Sequence, residues 1–229
     1  VFKQAGCTVF LIDCLDTGHP DMLSRALPKQ PSRKGNGQGH FYKEMIKKPD
    51  CLKMIKRKYG RYGILPEVFL KQLADIPRPD AILMTSTMTY WYPAVIDCIA
   101  YTKTIFPDVP IILGGVYATI CQEHARVYSG ADMVFPGPCN KALLEILERL
   151  TGCTFSTVPY DFFPDPNCSL LHSKKTIPVL TSRGCPLRCP YCASSLLHPQ
   201  FIQKNTARIA DFIEYWFTRE STTDFVFYD

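Results

Sequence analysis

Three cysteines occupy one short run of the chain, T-S-R-G-C-P-L-R-C-P-Y-C, with the spacing C-x3-C-x2-C. They are Cys185, Cys189 and Cys192. An apolar run, P-V-L-T-S (178–182), comes just before them and predicts a strand that delivers the loop. Three thiolates can hold three irons of a [4Fe–4S] cluster and leave the fourth iron open to a further ligand. The spacing therefore predicts an iron–sulfur site with one open position.

The residues between the cysteines favour a loop that turns tightly around one centre. Gly184, Pro186 and Pro190 are residue types that shape turns. A structural zinc site is the alternative metal interpretation, but it needs a fourth protein ligand. The nearest candidate is His198, six residues beyond the last cysteine. A cluster of inert thiols is the other alternative.

The cysteine run resembles the signature of the radical S-adenosylmethionine (SAM) superfamily, C-x3-C-x-aromatic-C, with Tyr191 at the aromatic position. The resemblance implies a partial (β/α)6 barrel, three cysteines that bind a [4Fe–4S] cluster, and SAM held at the open iron. It also implies reductive cleavage of SAM to a 5′-deoxyadenosyl radical, with electrons from a flavodoxin- or ferredoxin-type donor. By the same resemblance, Tyr191 lies against the adenine and Asp229 lies near the SAM pocket.

The chain before the cysteines alternates between strand and helix patterns. Strands are predicted at 81–85, 110–115 and 133–135, and helices at 92–106, 120–129 and 140–150. Strands separated by helices of this length are typical of βαβ units. We therefore expect an α/β domain with a doubly wound parallel sheet over residues 1–150.

A second unit follows a proline-containing linker at 151–176. A strand at 178–182, a helix at 207–217 and a strand at 224–229 make up one βαβ unit, assigned to residues 177–229 as the start of a barrel. At the other end, residues 1–5 resemble the last turn of a helix that Gly6 stops, before a predicted strand at 8–13. We therefore expect the fragment to be truncated at both ends.

The first domain resembles the Rossmann-like cobalamin-binding domain that often precedes radical SAM barrels. The family pattern is S-x-L, a spacer and G-G; here Ser86-Thr87-Met88 is followed by 25 residues and Gly114-Gly115. The resemblance assigns Thr85, Ser86, Met88, Gly114, Gly115 and Gly137 to a cobalamin site. Two departures are Met88 in place of Leu and G-P-C-N (137–140) in place of G-E-G-E. The alternative is that the glycines only turn a strand into a loop.

Charge is concentrated in one part of the chain. Residues 25–63 carry twelve Lys and Arg against two acidic residues, which leaves 14 basic and 19 acidic residues elsewhere, from totals of 26 and 21. A basic insertion at about 16–66 is predicted, with a helix near 42–58. It is either a solvated surface or a contact for an acidic substrate, a protein or nucleic acid.

Composition narrows the class of protein. With 229 residues, 46% hydrophobic and 21% charged, the chain is not a disordered or fibrous sequence. No apolar run approaches the ~20 residues of a membrane span, so no membrane partner is expected. Eleven cysteines, an odd number, with Cys98 and Cys121 in apolar surroundings, favour a reducing cytoplasm over a disulfide scaffold.

The leading hypothesis is a radical SAM enzyme, with cobalamin as a second cofactor and an unidentified substrate. One alternative is a cobalamin or iron–sulfur redox sensor that does not cleave SAM. Another is a tRNA methylthiotransferase, which needs a second set of cysteines; Cys7, Cys14 and Cys51 lack its sequence context. Glu123-His124 is a weak acid–base candidate, because sequence neighbours point to different faces of a helix.

Overall fold

The computed structural model describes residues 2–16, 18–25, 27, 39–155 and 163–228. Asp229 and most of the glycine-containing spacer at 35–39 lie outside the described residues. The helices are α1 (Pro20–Leu23), α2 (Pro66–Asp75), α3 (Tyr92–Ile105), α4 (Gly115–Ile120), α5 (Gln122–Tyr128), α6 (Lys141–Thr151), α7 (Ser194–Leu197) and α8 (Thr206–Glu220). The strands are β1 (Lys43–Met45), β2 (Gly60–Tyr62), β3 (Ile82–Ser86), β4 (Ile111–Gly114), β5 (Met133–Val134), β6 (Thr176–Val179), β7 (Ser182–Arg183), β8 (Ile202–Gln203) and β9 (Asp224–Phe227).

The part of the chain before the cysteine loop contains a parallel sheet in the order β3-β4-β5. Alternate residues of β4 point to opposite faces: Ile111 and Leu113 pack with α3, α4 and α5, whereas Ile112 packs with α6. All three side chains are almost fully buried. A strand buried on both faces explains the continuous apolar run in the sequence. The α/β class with a parallel sheet is confirmed, and the doubly wound order stays a prediction.

Helix α6 shows how local sequence sets an element. The Asn140 side chain accepts a hydrogen bond from the Leu143 N–H at 3.2 Å, which caps the first turn. Leu143, Leu144 and Leu147 form the buried face. Gly152 ends the helix in the left-handed region at φ 69°. The helix predicted at 140–150 is confirmed within a residue at either end.

The helical region after β4 differs from the prediction of one helix at 120–129. Helix α4 begins at Gly115, directly after the strand, and α5 begins at Gln122. The break is at Cys121, whose backbone has φ −114° and ψ 45°. The chain therefore turns into a helix at the end of the sheet, five residues before the sequence pattern indicated.

The predicted strand at 8–13 is wrong for this structure, because these residues make no ladder hydrogen bonds with any described strand. Ile12 and Cys14 instead pack against the cluster formed by α2 and the end of α3. The helix stop before this segment is confirmed: a short 3₁₀ turn, Lys3–Ala5, ends at Gly6 with φ 81°.

The helix predicted near 42–58 is also wrong. Strands β1 and β2 form an antiparallel pair, with Lys43 opposite Tyr62 and Met45 opposite Gly60. Between the strands lie only turns and one 3₁₀ turn, Asp50–Leu52. Pro49 has no N–H to donate, so it would interrupt the hydrogen bonds of a helix at this point. Helix α2, which the sequence analysis did not predict, follows the hairpin and starts on Pro66.

The second unit contains a parallel pair, β6 and β9, connected through α8. Ile177 of β6, Trp216 of α8 and Cys168 form its buried cluster. The predicted strand at 178–182 is divided into β6 and β7, and β7 pairs antiparallel with β8. Within the described ranges, no helix has the length and apolar character needed to cross a membrane.

Candidate functional site

The cysteine loop, residues 184–193, begins where β7 ends. Gly184 has φ +83°, a conformation that favours glycine. A Cβ atom at this position would lie 2.4 Å from the Gln200 carbonyl oxygen. The backbone of the loop therefore passes so close to the backbone after α7 that only glycine fits.

Two of the three cysteines are held together by a turn. The Cys192 N–H donates to the Cys189 carbonyl oxygen at 3.1 Å, which closes the four residues Cys189–Cys192. A closure of this kind brings the first and last Cα atoms to within about 7 Å of each other. The turn therefore makes Cys189 and Cys192 neighbours along the loop.

The Cys192 thiol has a polar partner. Its sulfur lies 3.0 Å from the Ser194 hydroxyl oxygen at the start of α7. Hydrogen bonds from the Ser194 side chain and from its backbone N–H lower the pKa of Cys192 below the usual value for a thiol. A lower pKa increases the thiolate fraction, and the thiolate is the form that binds metals and attacks electrophiles.

Cys185 lies beside an open cavity of about 320 Å³. The cavity is lined by Cys185, Pro186, Arg188, Ser195, Pro199 and Phe201. Tyr191, the predicted adenine contact, is 88% exposed and does not line this cavity. Cys185 and Cys192 are exposed, Cys189 is half-buried, and all three are free thiols.

The three sulfurs do not yet form a ligand set. Among the residues that the structure describes, no three His, Cys, Asp or Glu side chains lie close enough to hold a metal ion. The donor chemistry nevertheless suits an iron–sulfur cluster, because three free thiols share one loop and two of these cysteines are joined by a turn. A cluster would need the three thiol groups to converge on one centre.

His198, the alternative fourth ligand for zinc, lies close to the beginning of the loop. Its carbonyl oxygen is 3.2 Å from the position that a Cβ of Gly184 would occupy. Burial and the positive charge of Arg183 lower the pKa of its imidazole. His198 belongs to no described metal-ligand group.

A charged cluster attaches the segment before β6 to the second unit. Asp165 accepts hydrogen bonds from Lys204 at 2.6 Å and from Arg208 at 2.9 Å. The Lys204 ammonium also lies 4.4 Å from the centre of the Phe163 ring, and its side chain is only 4% exposed. The Arg183 guanidinium lies 5.1 Å from the same ring, so the cluster reaches the strand that delivers the cysteine loop.

The residues assigned to cobalamin meet at the carboxyl ends of β3 and β4. Thr85 is paired with Gly114, and Ser86 forms a further parallel bridge with Gly115. Gly115 has φ +84°, and a Cβ there would lie 2.3 Å from the Thr85 hydroxyl oxygen. The space beside Gly115 is therefore filled by β3, which supports the alternative interpretation that this glycine only turns the chain at the end of the strand. The segment that follows the turn is helix α4 rather than a loop.

Gly137 is connected to the same edge by one hydroxyl group. Thr119 on α4 donates to the Gly115 carbonyl oxygen at 2.7 Å and accepts from the Gly137 N–H at 2.9 Å. Ser86 is buried and donates to the Met88 carbonyl oxygen at 2.7 Å, while the Met88 side chain is 43% exposed. The structure thus brings together all six residues that the resemblance assigned. Thr119, which sequence reasoning missed, joins two of them.

Sequence reasoning also did not predict that aromatic residues beside α4 form one cluster. The Tyr117 hydroxyl lies 2.8 Å from His124 Nδ1, and the rings of Tyr92 and Tyr128 pack against His124.

Glu123, the sequence neighbour of His124, instead pairs with Arg126 at 3.0 Å. The expectation that Glu123 and His124 face different ways is confirmed.

The other cysteines are separated in space. Cys7 contacts Cys153, Cys14 contacts Cys98, and Cys51 is exposed between β1 and β2. Burial and contact with the neighbouring thiol raise the pKa of Cys7 to about 11, which keeps it protonated at neutral pH. A second three-cysteine site of the methylthiotransferase type therefore has no structural counterpart in the described residues.

Helix α7, which follows the cysteine loop, contacts α4 at the edge of the parallel sheet. The cysteine loop and the carboxyl ends of β3 and β4, which are distant in the sequence, therefore face the same region. No family model matches the chain. A search of curated proteins also found no match.

Proposed function

We propose that this chain is a radical SAM enzyme in which Cys185, Cys189 and Cys192 hold a [4Fe–4S] cluster. One observation carries the proposal: three free thiols lie on a single loop, directly after β7, in the connection between the parallel strands β6 and β9. When bound, the cluster would supply the electron that cleaves SAM to methionine and a 5′-deoxyadenosyl radical. This chemistry belongs to the cofactors, and the chain contributes binding and orientation.

Residues of the loop support cluster binding in distinct ways. The turn at Cys189–Cys192 keeps two ligands adjacent, so less conformational entropy is lost when they bind iron. Ser194 favours the thiolate form of Cys192, and thiolates are the ligands that iron–sulfur clusters take. Gly184 allows the loop to leave β7 at an angle that no other residue type permits.

The cavity beside Cys185 is the proposed place for the organic ligand. Arg188 on its wall offers a positive charge to an anionic group, and Phe201 offers an apolar surface. Tyr191 stays the aromatic contact that the resemblance proposes for this ligand, although its ring is exposed and does not line the cavity.

The first experiment measures cluster binding. The chain is reconstituted anaerobically with ferrous iron and sulfide, and bound iron, bound sulfide and visible absorption are measured. Cys185→Ala, Cys189→Ala and Cys192→Ala should each lose the cluster, whereas Cys51→Ala and Cys121→Ala should keep it. Equal loss in the two control variants, or no cluster in the parent chain, would contradict the proposal.

The second experiment separates an enzyme from a sensor. Dithionite and SAM are added to the reconstituted chain, and 5′-deoxyadenosine is measured by chromatography. Its formation supports the enzyme. A bound cluster that is oxidised and reduced without 5′-deoxyadenosine would support the redox-sensor alternative.

Cobalamin as a second cofactor is a separate proposal from the iron–sulfur cluster. The assigned residues converge at one sheet edge, but the space at Gly115 is occupied by Thr85 and Ser86. Substitution of Gly115 would therefore disturb the sheet whether or not cobalamin binds there. Met88→Glu is the better variant, because the side chain is exposed at the same edge. It should weaken the change in the cobalamin spectrum on titration with the chain. Unchanged cobalamin binding would contradict a cobalamin site at this edge of the sheet.

A further inference from the structure

The hairpin of the basic insertion has a firmly held base. The Tyr42 ring is buried in the cluster with α2, and the Gly63 N–H donates to the Tyr42 carbonyl oxygen at 3.0 Å. Arg61 on β2 forms an ion pair with Glu44 on β1. Burial alone would lower the pKa of Arg61, but contact with the Glu44 carboxylate outweighs burial and the pKa is raised. The strands therefore carry their connecting segment on a rigid support.

The hairpin tip, residues 47–58, is a compact series of turns. The Lys53 N–H donates to the Asp50 carbonyl oxygen at 3.1 Å, and the Ile55 N–H donates to the Leu52 carbonyl oxygen at 3.0 Å. Lys48 donates to the Ile55 carbonyl oxygen across the tip. These bonds present apolar side chains outward: Met54 is 94% exposed and Ile55 is 52% exposed.

The charge around these two apolar side chains is strongly positive. The hairpin tip contains six basic residues and one acidic residue, Asp50, which pairs with Lys53 at 2.8 Å. Lys56, Arg57 and Lys58 are exposed and make no ion pair with any acidic side chain in the described ranges. The tip therefore exposes two apolar side chains, Met54 and Ile55, surrounded by positive charges.

The residue types of the hairpin tip favour one kind of binding partner. Protein interfaces are depleted in Lys and anchored by aromatic residues, and single-stranded nucleic acid is bound by aromatic stacking. The hairpin tip has five Lys and one Arg, and its two exposed apolar side chains are aliphatic. Clustered lysines next to aliphatic side chains suit a bilayer with anionic headgroups, where the cations meet the lipid charge and the apolar groups enter the interface.

We propose that the hairpin tip is a peripheral membrane-binding surface for bilayers that contain anionic lipid, with Met54 and Ile55 entering the interface. This contact needs no membrane-spanning helix. It is an alternative to the expectation, drawn from the lack of a spanning segment, that the chain has no membrane partner. The inference does not depend on the cysteine loop.

Vesicle co-sedimentation of the whole chain tests the proposal. The chain should sediment with phosphatidylcholine vesicles that contain phosphatidylglycerol and not with pure phosphatidylcholine. Binding should be lost at about 1 M salt, where the Debye length is ~3 Å. K56Q/R57Q should lower the partition coefficient about 25-fold, since each basic residue contributes roughly fivefold. Met54→Ser should lower it about tenfold.

Matched controls remove the same chemistry elsewhere. K141Q/R149Q deletes two exposed cations from α6, and Val127→Ser deletes an exposed aliphatic side chain from α5. Both should bind vesicles like the parent chain. All the substituted side chains are exposed, so circular dichroism should show the parent fold in every variant.

Three results would overturn the proposal. The first is equal binding to both kinds of vesicle, and the second is an equal loss in the α6 control. The third is tight binding of a single-stranded oligoribonucleotide that K56Q/R57Q abolishes, with no binding to anionic vesicles. That result would assign the surface to nucleic acid.

Discussion

The Cys192 sulfur and the Ser194 hydroxyl oxygen lie 3.0 Å apart, two residues from each other and at the start of a helix. The serine contributes both its hydroxyl and its backbone N–H to this thiol. Ser194 is therefore a positioning residue for Cys192.

Ser194→Ala should raise the pKa of Cys192, because it removes the side-chain hydrogen bond that contributes most to lowering the pKa. Below the thiol pKa, the rate of alkylation follows the thiolate fraction. At mildly alkaline pH, the variant should react several-fold more slowly with iodoacetamide at Cys192, as read by peptide mass spectrometry. Ser195→Ala on the same helix is the control and should leave the rate unchanged. An unchanged rate in Ser194→Ala would show that the contact has no chemical effect.

Gly184→Ala should lower the free energy of unfolding by about 3 kcal/mol, because it combines a left-handed backbone with a clash against the Gln200 carbonyl. Gly137→Ala is the matched control: its φ is +82°, yet no atom lies within 4 Å of the added Cβ. It should cost only about 1 kcal/mol, from backbone strain. Chemical denaturation measures both variants. Equal costs would mean that the loop moves away from Gln200 freely.

Asp132 should make the free energy of unfolding depend on pH in the acidic range. Burial alone would raise its pKa, but hydrogen bonds from Lys103 and from the Ile111 N–H outweigh burial and lower the pKa. A carboxylate with a lowered folded-state pKa stabilises the fold above its unfolded pKa of ~3.9, and this contribution is lost as the pH falls through the folded value. Denaturant midpoints between about pH 5 and pH 3 should therefore fall more steeply in the parent than in Asp132→Asn.

The control for this acid effect is Asp108→Asn, which removes another exposed carboxylate near β4. It should keep the steep pH dependence of the parent chain. If Asp132→Asn and the parent chain had the same pH dependence, the two hydrogen bonds would not be stabilising the charged form.

Asp165→Asn should lower the free energy of unfolding by about 2 kcal/mol, because the nearly buried Lys204 loses its carboxylate. The Pro164 carbonyl and the Phe163 ring remain as partners, which limits the loss. Asp75→Asn, which breaks an exposed pair with Lys71 on α2, should have little effect. Similar losses in the two variants would argue against a special role for the Asp165 cluster.

Periodicity predicted the elements whose residues are buried on a regular pattern. The strand at 111–114 and the helix at 141–151 were found within a residue or two, because a buried strand face and an amphipathic helix leave local signals. The helix predicted near 42–58 failed where Lys and Met recur without burial, and Pro49 was the signal against it. Pro66 at the first turn could have revealed α2.

By itself, the sequence determined the cysteine spacing, the glycine and prolines around it, and the alternation of strands and helices in the first domain. These depend on residue type and short-range pattern. Only the tertiary structure decided that Thr119 links Gly115 to Gly137, that His124 meets Tyr117, and that the hairpin presents Met54 to solvent. It also placed α7 against α4. Such contacts join residues from different elements, so they depend on how the packed faces bring distant segments together, which no local pattern encodes.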